Sequence, residues 1–298
     1  MLLGDGAPIA LSQDGTRALY RTFDGAVLFA DGGAEHLPVP VDLGARLTAD
    51  GSAVVGTTLD HQSELVRWTP SGGVESLAAL PTGGPWSVAA LAPDGLAAAG
   101  WGYSPDGATS VPFRWTAAGG LSDLGPLPSG VSGARPLATS DDGSVVIGVT
   151  TVGHREHELF RWTEGDGFSI LGPALYSPSG VHLLLSADGA AAAGTFGTSP
   201  NGGFRWIAAE QPEALLDGWS MAMDMSRDGS LVLGAAENGD GFVWNQGALT
   251  RFSDVLAARS IDTSGWLFDV PTRMSSDGKV IFGRALCGEV PVTYRLEL

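Results

Sequence analysis

An Asp-Gly pair recurs along this chain at Gly15, Gly51, Gly95, Gly143, Gly189, Gly229 and Gly278, at intervals of 36, 44, 48, 46, 40 and 49 residues. Asp-Gly suits a tight turn that needs positive φ. A small or β-branched triplet follows most of these turns and usually ends in glycine, as in Val54-Val55-Gly56, Ala98-Ala99-Gly100 and Val146-Ile147-Gly148. A third stretch then carries Trp68, Trp115, Trp162, Trp206 or Trp244, and a fourth short apolar run closes the unit. The stretch 137–172 is the clearest copy: LATSDDGSVVIG, a variable loop, then LFRWTEGDGFSILG. Its alternation reads as four short antiparallel strands.

Four strands per unit at a period of roughly 40–45 residues is the signature of a β-propeller blade. The expectation is therefore one all-β domain over 1–298, a seven-bladed propeller of four-stranded antiparallel blades. Unit seven ends after its third strand, Val292-Thr293-Tyr294-Arg295-Leu296, and the fourth-strand-like Met1-Leu2-Leu3-Gly4 precedes unit one. Pairing the two would close the ring and remove its open edges. Helix signals are scarce.

The Ser-x-Asp-Gly turn, the Val-Val-Gly strand, Phe-Arg-Trp-Thr and Gly-Gly-Leu-x-x-Leu-Gly together resemble the bacterial HAF-repeat (probable extracellular repeat) family. Ser264-Gly265-Trp266-Leu267 before the last Ser276-Asp277-Gly278 resembles the way such arrays end. Blade one departs from the pattern: Tyr20-Arg21 replaces the closing glycine, and Val27-Leu28-Phe29 lacks the Trp. The resemblance covers essentially the whole chain. It implies a propeller, export, and surface or extracellular binding, with no shared catalytic motif.

Charge narrows the partners. Asp and Glu outnumber Lys and Arg by 33 to 16, giving a net charge of −17. No basic stripe offers a nucleic-acid footprint, and an anionic membrane surface would repel the chain. No run has transmembrane length, and no export signal opens the written sequence. Cys287 is the single cysteine, so no internal disulfide forms. A monomer is expected.

Residues that recur in every blade serve the repeat. The five third-strand Trp residues should fill the gaps between blades. Arg67, Arg114, Arg161, Arg205 and Arg295 alternate with those aromatics and should meet acceptors or solvent on the opposite face. The turn aspartates should cap their own backbone amides rather than bind calcium.

Function is expected where the chain departs from the repeat. Trp86, Trp101, Trp219 and Trp266 fall at the connections opposite the Asp-Gly turns, with Tyr103, Tyr176, Phe196 and Phe268. They form either a binding wall or small loop cores. Four positions before each turn Asp stand Ala10, Arg46, Ala90, Ala138, Leu184, Asp224 and Arg273. Three charges thus occupy a slot on the innermost strands, where Asp224 and Arg273 could pair and leave Arg46 to meet an anion. Arg135 and His182 would stand nearer the mouth. The expected ligand is an acidic glycan, a peptide or an aromatic carboxylate, held over the channel on the loop-rich face. One alternative is an enzyme using the same pocket, with Asp224 or His182 as acid or base. Another is a protein-interaction scaffold. No cofactor or metal is expected: the 154–158 segment, His-Arg-Glu-His-Glu, has no established metal spacing, and Cys287 would serve as a nucleophile only if His182 reached it.

Overall fold

The computed structural model describes residues 7–13, 16–22, 25–30, 33–38, 45–58, 64–80, 86–104, 106–152, 156–174, 183–196, 202–207, 213–216, 220–236, 238–275, 277–288 and 290–297. The fold is an all-β seven-bladed propeller of small antiparallel sheets, every one a simple meander. Two compact units, Met1–Ile170 and Leu171–Leu298, are described in turn.

The first unit carries blades one to four. Blade one comprises β1 (Ala7–Leu11), β2 (Arg17–Thr22), β3 (Gly25–Ala30) and β4 (Gly33–His36). Blade two comprises β5 (Arg46–Leu47), β6 (Val54–Thr57), β7 (Glu64–Thr69) and β8 (Gly73–Ala79). Blade three comprises β9 (Trp86–Leu91), β10 (Ala97–Tyr103), β11 (Ser110–Thr116) and β12 (Gly120–Asp123). Blade four comprises β13 (Val131–Thr139), β14 (Val145–Val152), β15 (Glu156–Thr163) and β16 (Gly167–Ala174), the unit boundary falling inside β16. Residues 156–158 are therefore the start of a strand, not part of a loop.

The second unit carries blade five, with β17 (Leu183–Leu185), β18 (Ala191–Phe196), β19 (Gly202–Ile207) and β20 (Glu213–Ala214). Blade six has β21 (Ser220–Met225), β22 (Leu231–Ala236), β23 (Gly241–Asn245) and β24 (Ala248–Arg251). A helix follows, α1 (Phe252–Ala258), which sequence patterning did not suggest; Phe252 and Leu256, four apart on one face, are its buried residues. Blade seven has three described strands, β25 (Trp266–Met274), β26 (Val280–Cys287) and β27 (Val290–Glu297). The closing segment at Leu2-Leu3 lies outside the described residues.

The turns explain the motif. Ser140 Oγ donates to Asp142 Oδ1 at 2.8 Å and accepts the Val145 N–H at 2.9 Å, while the same Oδ1 accepts the Ser144 N–H at 2.9 Å. Gly143 takes φ of +71°. Thr48–Asp50, Ser186–Asp188, Ser226–Asp228 and Ser275–Asp277 repeat the arrangement. These hydrogen bonds favour the carboxylate and lower its pKa, in Asp277 to about 2. Blade three has Ala92 in place of the hydroxyl, and among the described residues Asp94 keeps only its bond from the Leu96 N–H.

Packing between blades is built from the Phe-Arg-Trp strand. Trp68, Trp115, Trp162, Trp206 and Trp244 are all buried. Each whose surroundings are described sits against the preceding blade: Trp68 with Leu19, Ala26 and Leu28, Trp115 with Val55 and Leu65, Trp162 with Ala90 and Ala99, and Trp244 with Ala193. The intervening Arg faces the other way, toward the next blade. Arg114 lies 5.2 Å over the Trp162 ring and Arg205 lies 4.3 Å over Trp244. Arginine thus meets an aromatic face as well as the expected acceptors, since Arg114 also donates to Gly143 O and Glu164. Backbone bonds tie successive turns, Gln13 to Ala49, Ala49 to Pro93 and Ala187 to Arg227.

The first strands share a second device. Their registers skip one residue at Ile9, Ala89, Leu137 and Met223, each a β-bulge just before the slot residue. The closing glycines belong with the third-strand aromatic. A Cβ on Gly148 would strike Phe160 and the Arg135 carbonyl, and one on Gly234 would strike Phe242. Blade one, without the glycine, pairs Tyr20 with Val27 and has no ring to accommodate.

Candidate functional site

Blade three places a ring cluster at the end opposite its Asp-Gly turn. On β10, Gly100 and Gly102 point toward blade two, where Phe113 and Trp86 fill the space that a Cβ would take. Alternation sends Trp101 and Tyr103 to the other face, with their ladder partners Pro112 and Ser110. That face meets β13 of blade four. Arg135 lies 4.3 Å over the Trp101 ring, and its Nη2 donates a long 3.4 Å bond to the Tyr103 hydroxyl. Trp101 and Tyr103 pack edge to face at 5.3 Å. All three side chains are half-buried. Arg135 Nε is buried without a hydrogen-bond partner, and no carboxylate pairs with this guanidinium among the described residues.

Such a group is preorganised for an anion. The ring holds the guanidinium plane, and the planar fork matches a carboxylate in two-point geometry. On the neighbouring strand, Pro112 and Ser110, the ladder partners of Trp101 and Tyr103, belong to the lining of a cavity of about 320 Å³ with Thr109, Val111, Asp123, Gly125, Pro126 and Leu127.

The other sequence candidates stand elsewhere. Trp86, for which a binding wall and a small core were both open, is 5% exposed and packs tilted against Phe113 at 5.6 Å. Its ring needs the room left by Gly102, and the glycine between two aromatics in Trp101-Gly102-Tyr103 was the readable signal for it. Arg46 donates through Nη2 to Ala89 O at 3.0 Å and through Nη1 to Ala45 O at 3.3 Å. Ala89 is the bulged residue of β9, so its carbonyl is out of ladder register and open to Arg46. Asp224 accepts the Met225 N–H at 2.9 Å and the Met274 N–H at 2.8 Å, tying blade six to blade seven. It does not pair with Arg273, which is exposed and donates weakly to Thr272 O at 3.4 Å. Tyr176, His182 and Trp219 lie outside the described residues.

Trp266 belongs to the second unit. It is 40% exposed and stacks on Phe268 at 5.9 Å, and Phe268 continues to Tyr294 and Phe252. Leu267, Leu286 and Val290 beside it are 69%, 38% and 62% exposed, and Cys287 is exposed too. Among the described residues no three His, Cys, Asp or Glu side chains gather to hold a metal ion.

No protein-family model matches the chain, and no curated protein matches it. Solved structures do. An oligogalacturonate lyase in complex with manganese aligns at a TM-score of 0.59 and 16% identity, over 97% of this chain and 88% of that one. An oligogalacturonate lyase from Vibrio parahaemolyticus aligns at 0.56 and 14%, over 97% and 88%. The Kuenenia stuttgartiensis hydrazine synthase aligns at 0.53 and 12%, over 96% and 94%. At these identities the likeness is one of fold, the propeller.

Proposed function

We propose that this protein is a non-catalytic binding module that captures a carboxylate-bearing ligand, an acidic glycan first among the candidates, at the loop end of blades three and four. The carrying observation is Arg135, stacked 4.3 Å over Trp101 and without an ionic partner among the described residues. A half-buried guanidinium held in this way gains most from a ligand that brings its own negative charge. The motif resemblance to HAF repeats, with its implied surface or extracellular binding role, points the same way. The site differs from the channel slot suggested by sequence because Arg46 and Asp224 spend their hydrogen bonds on neighbouring backbone. For the same reason Asp224 is a poor acid or base, its two oxygens already accepting amides.

The test compares Arg135→Lys and Arg135→Ala in calorimetric titrations with glucuronic acid. Lysine keeps the charge but not the planar fork, so both variants should lose at least tenfold in affinity while melting near the parent temperature. Unchanged affinity in Arg135→Ala would refute the reading. A second reading, a protein-interaction surface, is favoured by the exposed Trp266–Leu267 patch.

A further inference from the structure

We infer that the cavity beside Arg135 is a second subsite that takes a neutral, hydroxyl-rich sugar unit, so that the ligand is an oligosaccharide joining an acidic residue to a neutral one. The inference rests on the reading of Arg135 as carboxylate anchor. The two stations are neighbours across one ladder: Tyr103 and Trp101, which hold Arg135, pair with Ser110 and Pro112, which line the cavity. Directly paired residues stand about 5 Å apart on one face of the sheet. One ligand can therefore span both.

The cavity's chemistry differs from that of the Arg135 station. Asp123 uses Oδ1 to accept the Gly125 N–H at 2.9 Å, and its Oδ2 accepts nothing among the described residues. That oxygen repels a carboxylate and accepts a hydroxyl proton, which selects a neutral polyol over a second acid. Thr109 and Ser110 add hydroxyls that make no side-chain bond among the described residues, and Ser110 is only 8% exposed. A lining hydroxyl without a protein partner is open to bond a ligand hydroxyl. Pro112, Pro126 and Leu127 offer apolar surface to the C–H face of a sugar ring. At about 320 Å³ the cavity is at the small end of ligand sites, which span about 300–1,000 Å³, and suits one short unit.

Three probes separate the stations in calorimetric titration: glucuronic acid, xylotriose, and xylotriose bearing one glucuronic acid branch. The branched probe should bind at least tenfold more tightly than glucuronic acid. Thr109→Val with Asp123→Asn, which keeps the Oδ1 acceptor for Gly125, should cut that gain below threefold and leave glucuronic acid binding as it was. Arg135→Ala should weaken both acidic probes. A branched probe no tighter than glucuronic acid, or a gain untouched by the double variant, overturns the second subsite while the carboxylate anchor stands. Glucuronic acid binding that survives Arg135→Ala, or no binding of any probe, overturns both.

Discussion

Stacking between Arg114 and Trp162 can be weighed by a double-mutant cycle. Trp162→Leu removes a 6% exposed ring and the indole N–H that donates to Leu124 O at 2.6 Å. Emptying such a site to Ala costs about 3–5 kcal/mol, and Leu refills part of it. The orphaned Leu124 carbonyl adds about 1–3 kcal/mol. Arg114→Met keeps much of the stem volume but loses the bond to Gly143 O at 3.1 Å, about 1.5–3 kcal/mol for a charged donor. The Glu164 contact matters less, about 0–1 kcal/mol, because Glu164 is largely exposed. Neither loss involves the other residue. What the cycle isolates is the guanidinium over the ring, desolvated at 5.2 Å, for which about 1–2 kcal/mol of coupling is expected. Urea denaturation of the four proteins reads it. Additivity within about 0.3–0.5 kcal/mol would mean that the Arg and Trp serve their blades independently, and the inter-blade account would fall.

Gly148→Ala should destabilise by about 1–3 kcal/mol, because the new methyl meets the Phe160 ring and a backbone carbonyl that cannot retreat; a denaturation midpoint equal to the parent's would refute this. Arg46→Ala should lower stability by about 1.5–3 kcal/mol, for the lost charged bonds to Ala89 and Ala45, and leave glucuronic acid affinity unchanged. Acid should weaken the fold through its turns. Hydrogen bonds from the turn hold the carboxylates of Asp50, Asp142, Asp188, Asp228 and Asp277 below the ordinary aspartate value of 3.8 in the folded state, so their contribution is present above about pH 4. It is lost as pH falls through their folded values, about 2 for Asp277. Thermal melts from pH 5 to 2 should show a falling midpoint that flattens in Asp277→Asn, and an equal slope in that variant would count against the turn account.

Blade number, turns and the Trp register were legible because each recurs in one position, and recurrence is visible without knowing contacts. Partner choice was not. Arg114 and Trp162 are far apart in sequence, and nothing in Phe-Arg-Trp says that the Arg reaches the next blade's ring. The bulges hid for a different reason: an extra residue such as Ala89 or Leu137 leaves the apolar pattern intact and only shifts hydrogen-bond register. Without the bulge, Arg46 reads as a charge lacking an acceptor. Trp86 and Trp101 looked alike as non-repeat tryptophans, and their fates parted on the neighbouring glycines.

The joint between blades has a genealogical consequence. Blades three and five each present an Arg to the Trp of the next blade, and the Arg and Trp of one Phe-Arg-Trp strand are adjacent in sequence, so both halves of such a joint travel together in about forty residues of coding sequence. A duplicated or deleted blade would meet new neighbours that already fit. Outside the strands the joint relies mainly on backbone carbonyls, those of Leu124 and Gly143, so side chains in the connections are largely free to diverge. Copying and loss of whole units can therefore remodel the connecting loops of such an array faster than point substitution could rebuild a single interface.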